Sequence, residues 1–411
     1  MFLPKVTTKI PSRVVAFWRT STTNKLIAVS SALVVIVVGV FITLTSASGF
    51  FAGVEPEQGS LATNATQLSD ARASGGKAIQ FNAPATPPPP PPSGGGGGTG
   101  GGGTTGCATT TPHVPDGPDG MGGCWPGPSN TGPNAAEASM AAYSGSCTVS
   151  AANTVIDSKV INCSPLYVNA SGLIIKNSYI KGGVINDNGE SFTIQDSFLD
   201  NAIPYPACSG GKCAAGKYAC GDPNNATTTC GIGYRNFTVL RTEVINTNRA
   251  AYCESTCTIQ DNYFHGTNLW PDVTNLAHAS SVRNEQYLTL RHNSLGCDFP
   301  GISYNDELGC SADMSGYPDF APIMHDTIDS NLFLANNSGQ AYCAYGGGTA
   351  GKPSSGSPNN ATYIVFTNNV FQRGANGKCG TYGPVTDYIT GRTGNVWTNN
   401  KFDNGAVVDP A

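Results

Sequence analysis

Histidines, carboxylates and aromatic residues crowd into two stretches in the second half of the chain. Gly266–Ser281 and Gly296–Pro322, with their flanks, hold His265, Trp270, Asp272, His278, Arg283, Asp298, Asp306, Glu307, Asp313, Tyr317 and Asp319, and a third stretch, Ala335–Asn360, adds Tyr345. These residue types suit chemistry on sugars. Cleavage or epimerisation of a glycan needs a pair of carboxylates, or a base beside a cation that steadies developing charge. His265 or His278, oriented by Asp272, would be that base, and Arg283 would hold a sugar acid. Asp313 and Asp319 would form a carboxylate pair or, with oxygen ligands from neighbouring loops, bind Ca2+. Trp270, Tyr317 and Tyr345 would stack on sugar faces. Each has a plainer reading. Asp and Asn in Gly-rich loops make turns, Trp270 before Pro271 pins its loop, and Arg283 is an ordinary outward strand residue. His292 and His325, beside repeat turns, read as structural.

What must position these residues is a repeat. Nine copies of one eight-residue pattern run from Thr154–Ile161 (TVIDSKVI) to Asn395–Phe402 (NVWTNNKF), each with an apolar third position, a polar fourth and fifth, and an apolar eighth. The third positions are Ile156, Ile175, Ile194, Val239, Ile259, Leu290, Ile328, Phe366 and Trp397. The closest copies are 19, 19 and 20 residues apart. That is too short for a helical hairpin, and the alternation flanked by Gly, Asn and Asp reads as strand plus turn. One such strand cannot bury its inner face alone, whereas stacked coils build a continuous apolar column. The predicted fold is therefore all-β, a right-handed parallel β-helix in which each copy adds one coil to a solenoid. Nine rungs about 4.8 Å apart give a column about 40 Å long.

Two details refine this expectation. The sixth position holds Asn262, Asn293, Asn331, Asn369 and Asn400 in five consecutive copies. Stacked Asn side chains would hydrogen-bond in a ladder along the column, although Asn also simply suits a turn. The spacing between third positions widens to 45 at Ile194–Val239, 31 at Ile259–Leu290, and 38 at both Leu290–Ile328 and Ile328–Phe366. Insertions after equivalent strands land above one another. The loops Gly266–Ser281, Gly296–Pro322 and Ala335–Asn360 are thus expected to form one wall beside a groove for an extended glycan.

All 14 cysteines lie at or beyond Cys107. An even count confined to that part reads as a set of disulfides in an oxidising compartment. Nearness in sequence or in successive coils favours Cys297 with Cys310, Cys343 with Cys379, Cys147 with Cys163, and Cys220 with Cys230. Cys208-x4-Cys213 and Cys253-x3-Cys257 lack the second His/Cys pair of a zinc site. Upstream, residues 1–25 carry Lys5, Lys9, Arg13, Arg19 and Lys25, residues 26–44 are uncharged and mostly apolar, and the next basic residue is Arg72. This predicts a single-pass membrane helix with the N-terminus in the cytoplasm and the rest outside. Secretion after cleavage near Thr45-Ser46-Ala47 is the alternative. Residues 45–84 form a short juxtamembrane segment and 85–106 a Pro/Gly linker, a stiff rod followed by a flexible joint. The repeat domain is 107–411. It carries 15 Lys and Arg against 24 Asp and Glu, with no basic stripe or aromatic nucleic-acid motif, which disfavours nucleic acid as a partner.

Two resemblances follow from the residues. The segment VEPEQGSLATNATQLSDARASGGKAIQF, within 45–84, resembles the opening Glu-rich strand and the later Ala-Ser-Gly-Gly-Lys strand of β-sandwich carbohydrate-binding modules. The stretches Asn236–Leu240 (NFTVL), Asn262–Gly266 (NYFHG), Cys310–Asp313 (CSAD), Asp319–Pro322 (DFAP), Cys343–Gly347 (CAYGG) and Val365–Pro384 (VFTNNVFQRGANGKCGTYGP) resemble a group of bacterial secreted right-handed parallel β-helix proteins. That group is pectate-lyase-like in fold, and the likeness covers about Pro126–Phe402. It brings no catalytic motif; an Asp-Pro-His-Asp epimerase signature and a galacturonase carboxylate trio are both missing. The functional expectation is a membrane-anchored extracellular protein that binds or processes a polysaccharide or cell-envelope glycan, as lyase, hydrolase or epimerase if catalytic. The alternative is a non-catalytic adhesin or cell-envelope structural protein.

Overall fold

The computed structural model describes residues 65–69, 77–81, 106–201, 230–267, 278–298, 309–337, 339–356 and 360–410. The basic leader, the apolar run 26–44, the linker up to residue 105, and Cys208, Cys213, Cys220, Trp270, Asp272, Asp306 and Glu307 lie outside them. The described residues are all-β with one short 3-10 turn, Glu137–Ser139, and none of them forms a helix long and apolar enough to cross a membrane. Residues 1–94 form one compact unit and 95–411 another. In the first, Ala65–Ser69 and Lys77–Phe81 pair antiparallel with Ala65 opposite Phe81. Both strands fall in the segment that resembles a carbohydrate module.

In the second unit the strands stack parallel, coil upon coil, in three rows. The first row is a ten-stranded sheet that starts at Ala141–Ala142 and Lys159–Asn162 and ends at Val370–Phe371 and Lys401–Phe402. The second row runs from Thr148–Val149 to Gly383–Thr386, and the third from Val155–Asp157 to Val396–Thr398. Three long strands, Cys230–Leu240, Arg249–Gln260 and His278–Arg291, each span the second and third rows. This arrangement of parallel stacked sheets is compatible with a β-helix.

The repeat explains the stack position by position. Third-position residues meet in register, Ile156 on Ile175 on Ile194 on Val239 on Ile259 on Leu290 on Ile328 on Phe366 on Trp397. From Ile175 to Phe366 each is fully buried. Eighth-position residues do the same in the first row, Ile161 through Phe402. Burying two such files over nine coils is the main stabilising term.

The fifth position makes the corner between them. Ser158, Asn177, Asp196, Arg241, Asp261, His292, Ser330, Asn368 and Asn399 all have φ between 45° and 58°. Short polar side chains tolerate this left-handed turn. The two bulky exceptions are held by carboxylates, Arg241 by Asp196 at 2.5 Å and His292 by Asp261 at 2.7 Å. The sixth position is the ladder itself. Asn262, Asn293, Asn331 and Asn369 each donate the side-chain amide and the backbone N–H to Oδ1 of the next Asn, at 2.8–3.1 Å.

Segment 106–132 lies along the column before the first coil begins. Trp125 stacks on His292 with ring centroids 5.4 Å apart, Asp119 Oδ2 lies 3.3 Å from His292 Nε2, and the N–H of Gly132 donates to Arg241 O at 2.9 Å. At the far end Trp397 Nε1 donates to Val408 O at 2.7 Å, so the C-terminal tail covers the last coil. Cys147–Cys163, Cys297–Cys310 and Cys343–Cys379 are bridged, as expected from their spacing. Cys107–Cys124 and Cys253–Cys257 are bridged too.

The insertions do not gather into one wall. Residues 202–229, 268–277 and 299–308 join the first row to the second, whereas 317–326 and 347–364 join the second row to the third. The expected loops Gly296–Pro322 and Ala335–Asn360 are each interrupted by a strand, Gly309–Gly316 and Tyr342–Gly346. The extra residues are therefore shared between two of the row-to-row connections.

Candidate active-site cleft

The second corner holds a cleft of about 440 Å³ lined by Arg235, Glu254, Ser255, Glu285, Gln286, Phe320 and Ala321. The three long strands bend here. Their registers place Arg235 beside Ser255 and Ser255 beside Gln286, and the next residues, Asn236, Thr256 and Tyr287, all turn with positive φ. The bend throws the side chains just before it into one hollow, and the 317–326 connection closes over them.

Two carboxyl groups share this hollow in different surroundings. Glu254 is paired with the Arg235 guanidinium, Nε to Oε2 at 2.7 Å. Glu285 is 1% exposed, and its Oε1 accepts from Tyr252 OH at 3.0 Å and from the Phe320 N–H at 3.3 Å. Burial pushes the Glu285 carboxyl up to about 7, against the downward pull of the Tyr252 hydrogen bond and the Arg283 charge. One carboxyl is thus ion-paired and the other buried.

Around them is a cationic and aromatic shell. The Arg283 guanidinium lies 4.9 Å from the Tyr252 ring centroid and 5.6 Å from that of Phe320, and it pairs with Asp319. Lys352 Nζ reaches Asp319 Oδ1 at 3.3 Å and sits 4.6 Å over the Tyr317 ring. Tyr317 in turn packs on Tyr345 at 4.9 Å. Burial raises the phenols of Tyr252, Tyr317 and Tyr345. It also lowers the fully buried Arg249 to about 10, helped by the nearby Arg283 charge. Phe320 is 69% exposed, an open aromatic face at the rim.

The structure thus brings together Arg283, Asp319, Tyr317 and Tyr345 from the sequence-derived set and adds Glu285, Glu254, Arg235, Tyr252, Phe320 and Lys352. Arg283 and Asp319 serve each other first. His265 stands at the other corner, where its Nε2 lies 2.8 Å from Glu243 Oε1 and its ring stacks on Tyr263 at 3.9 Å. Asp298, beside it, accepts the N–H groups of Gly266 and Thr267. His278 opens its strand in register with Gly309. Trp270 and Asp272 lie outside the described residues.

Asp313 is not on a loop. It sits in the strand Gly309–Gly316, 0% exposed, accepting the Cys297 N–H at 2.6 Å, and burial raises its carboxyl well above the usual range. Asp319 has partners of its own, Arg283 and Lys352. Among the described residues the one grouping of metal-type ligands is Asp313 with Cys343 and Cys379, and those two cysteines form a disulfide.

A sequence signal for the missed residues does exist. Arg235, Glu254 and Glu285 are charges placed two or three residues before successive copies of the repeat, at Phe237, Cys257 and Leu288. No protein-family model, curated protein or solved structure matches the chain.

Proposed function

We propose that this chain is an extracellular right-handed parallel β-helix of the pectate-lyase-like kind, held at the cell surface through its N-terminal segment, that binds a polysaccharide in the second-corner cleft and acts on it by general acid–base chemistry. Glu285 is the acid and Glu254, paired with Arg235, its basic partner. The observation that carries this reading is Glu285, raised to about 7 by burial and lining the same cleft as a second carboxyl. Phe320 offers a face for a sugar ring, and Arg283 with Arg235 favours negative charge developing on the substrate. The bridged cysteines support an oxidising, extracellular setting.

The test is product release from a panel of polysaccharides, read as new reducing ends or unsaturated sugars, together with glycan-array binding. Wild-type protein should bind and turn over one class, and Glu285→Gln should bind without turnover. Binding with no turnover by wild type would reduce the cleft to a lectin-like site. No binding at all would remove the proposal and favour a structural or adhesive column.

A further inference from the structure

Just before the repeat, at the turn from the second row to the third, eight coils place a residue at positive φ: Asn153 58°, Gly172 86°, Asn236 51°, Thr256 61°, Tyr287 56°, His325 58°, Tyr363 55° and Gly394 72°. Gly and Asn accept this conformation readily, whereas a bulky aromatic residue there is strained, and strain of this kind concentrates at binding sites. Three consecutive coils nonetheless carry aromatic rings. The Tyr287 and His325 rings lie 5.1 Å apart at 0°, and those of His325 and Tyr363 4.5 Å apart at 9°. Gly394 makes room for the last ring, since a Cβ there would stand 2.2 Å from Tyr363 Cδ1. The facing sides of the rings are thus occupied within the stack. The row is open to solvent, with Tyr287 48% and Tyr363 44% exposed and His325 exposed between them, and it carries two phenol hydroxyls and an imidazole.

This row continues the cleft. Gln286, which lines the cleft, immediately precedes Tyr287, and Gln286, Met324 and Thr362 bridge in parallel from coil to coil. The three rings therefore follow one another along the column, starting where the cleft ends. We infer that Tyr287, His325 and Tyr363 form a binding track that extends the cleft along the column, taking an extended, hydroxyl-rich polysaccharide with one polar aromatic edge per sugar residue. The inference rests on the polysaccharide reading of the cleft. Coils repeat about every 4.8 Å, close to the length of one pyranose in an extended chain. A chain laid along the column therefore meets a hydroxyl or imidazole edge at each residue.

The test is titration calorimetry with β-glucan and polyuronate oligosaccharides of three and nine residues, on wild type and on the double variant Tyr287→Asn, Tyr363→Asn. Asn is the residue that earlier coils use at this turn, so the variant should melt no lower than wild type. It should bind the trisaccharide as wild type does and the nonasaccharide about tenfold more weakly. The single variant His325→Asn, which keeps both tyrosines, should fall in between. Unchanged nonasaccharide affinity in both variants, with or without a lower melting temperature, would make the row structural and overturn the track while leaving the cleft reading intact. Wild-type protein that binds neither length would overturn the cleft reading and the track with it.

Discussion

The side-chain amide of Asn331 donates to Oδ1 of Asn369 at 3.1 Å, and the backbone N–H of Asn331 donates to the same oxygen at 2.9 Å. Both residues are fully buried. The remaining amide hydrogen of Asn331 bonds to the carbonyls of Leu290 and Asp329. Each Asn in the file thus satisfies the corner of its own coil and grips the next. A slip of one residue would put a neighbour such as Tyr263, Leu332 or Val370 where an Asn must meet the next Asn, so the ladder fixes the register of the stack.

Removing one rung leaves several buried groups without partners. Asn331→Ala strips the acceptor from Asn293 and the donor from Asn369, and it should lower the unfolding free energy by about 3 kcal/mol or more. Thr327→Ala, outward and exposed four residues earlier, should change it by less than about 0.5 kcal/mol. Urea unfolding of the two variants measures the difference, and equal effects would mean that the ladder is incidental.

Much of this is legible from the residues alone, for physical reasons. Ile156 through Trp397 and the Asn file repeat because identical environments recur in each coil, and recurrence is what a pattern displays. Gly309–Gly316 and Tyr342–Gly346 are hidden, because GCSADMSG and YCAYG carry small residues with little apolar alternation. Missing these strands turns two corners into one wall and puts Asp313 on a loop. In the cleft, Arg283, Asp319, Tyr317 and Tyr345 stand out by residue type. Glu285 does not, because its significance is its burial, and burial depends on Tyr252 and Phe320 arriving from two other coils.

The strap along the column should loosen in alkali. Burial opposes a charge on His292, yet the facing carboxylates of Asp119 and Asp261 outweigh it and raise the imidazole to about 9. A raised folded value means that the stabilisation is complete below the unfolded value near 6.5 and fades as pH rises through 9, a loss of roughly 3 kcal/mol for this contact. Arg241 also faces Asp261, so that carboxylate keeps one partner when His292 is neutral. Hydrogen exchange of residues 106–132 should accelerate between pH 7 and 10 beyond the intrinsic base dependence. In His292→Gln the excess should vanish. An identical profile in the variant would show that the strap is held by Trp125 and the backbone alone.

Asp326 should make the fold less stable as pH rises. Its carboxyl is fully buried, accepts from Leu288 N–H at 2.8 Å and Asn284 Nδ2 at 2.6 Å, and burial pushes it up to about 8. With the folded value above the unfolded one, the folded state holds a proton that the unfolded chain gives up. Stability therefore declines between pH near 4 and near 8 by at most about 1.4 kcal/mol per unit. Asp326→Asn should flatten that decline. The Asn284 amide can turn its unpartnered Oδ1 toward the new side chain, so the variant should equal or exceed wild type at pH 8 by thermal melting. A variant less stable than wild type at pH 8 would mean that the carboxyl is required for more than its proton-bearing form.

Activity in the cleft should follow the Glu285 proton. In the proposed role of acid, Glu285 would work only while protonated, and a value of about 7 would keep it so on the acidic side of neutrality. With a substrate found in the polysaccharide panel, kcat/KM should fall about tenfold per pH unit above 7. Glu285→Gln should lose roughly 10²- to 10⁴-fold in kcat and the alkaline limb with it. Phe320→Leu removes the ring beside Arg283 and thins the cover on Glu285, so the limb should move to lower pH as the carboxyl gains solvent. A limb that stays at the same pH in Phe320→Leu and persists in Glu285→Gln would assign the titration to another group and leave Glu285 a structural carboxyl.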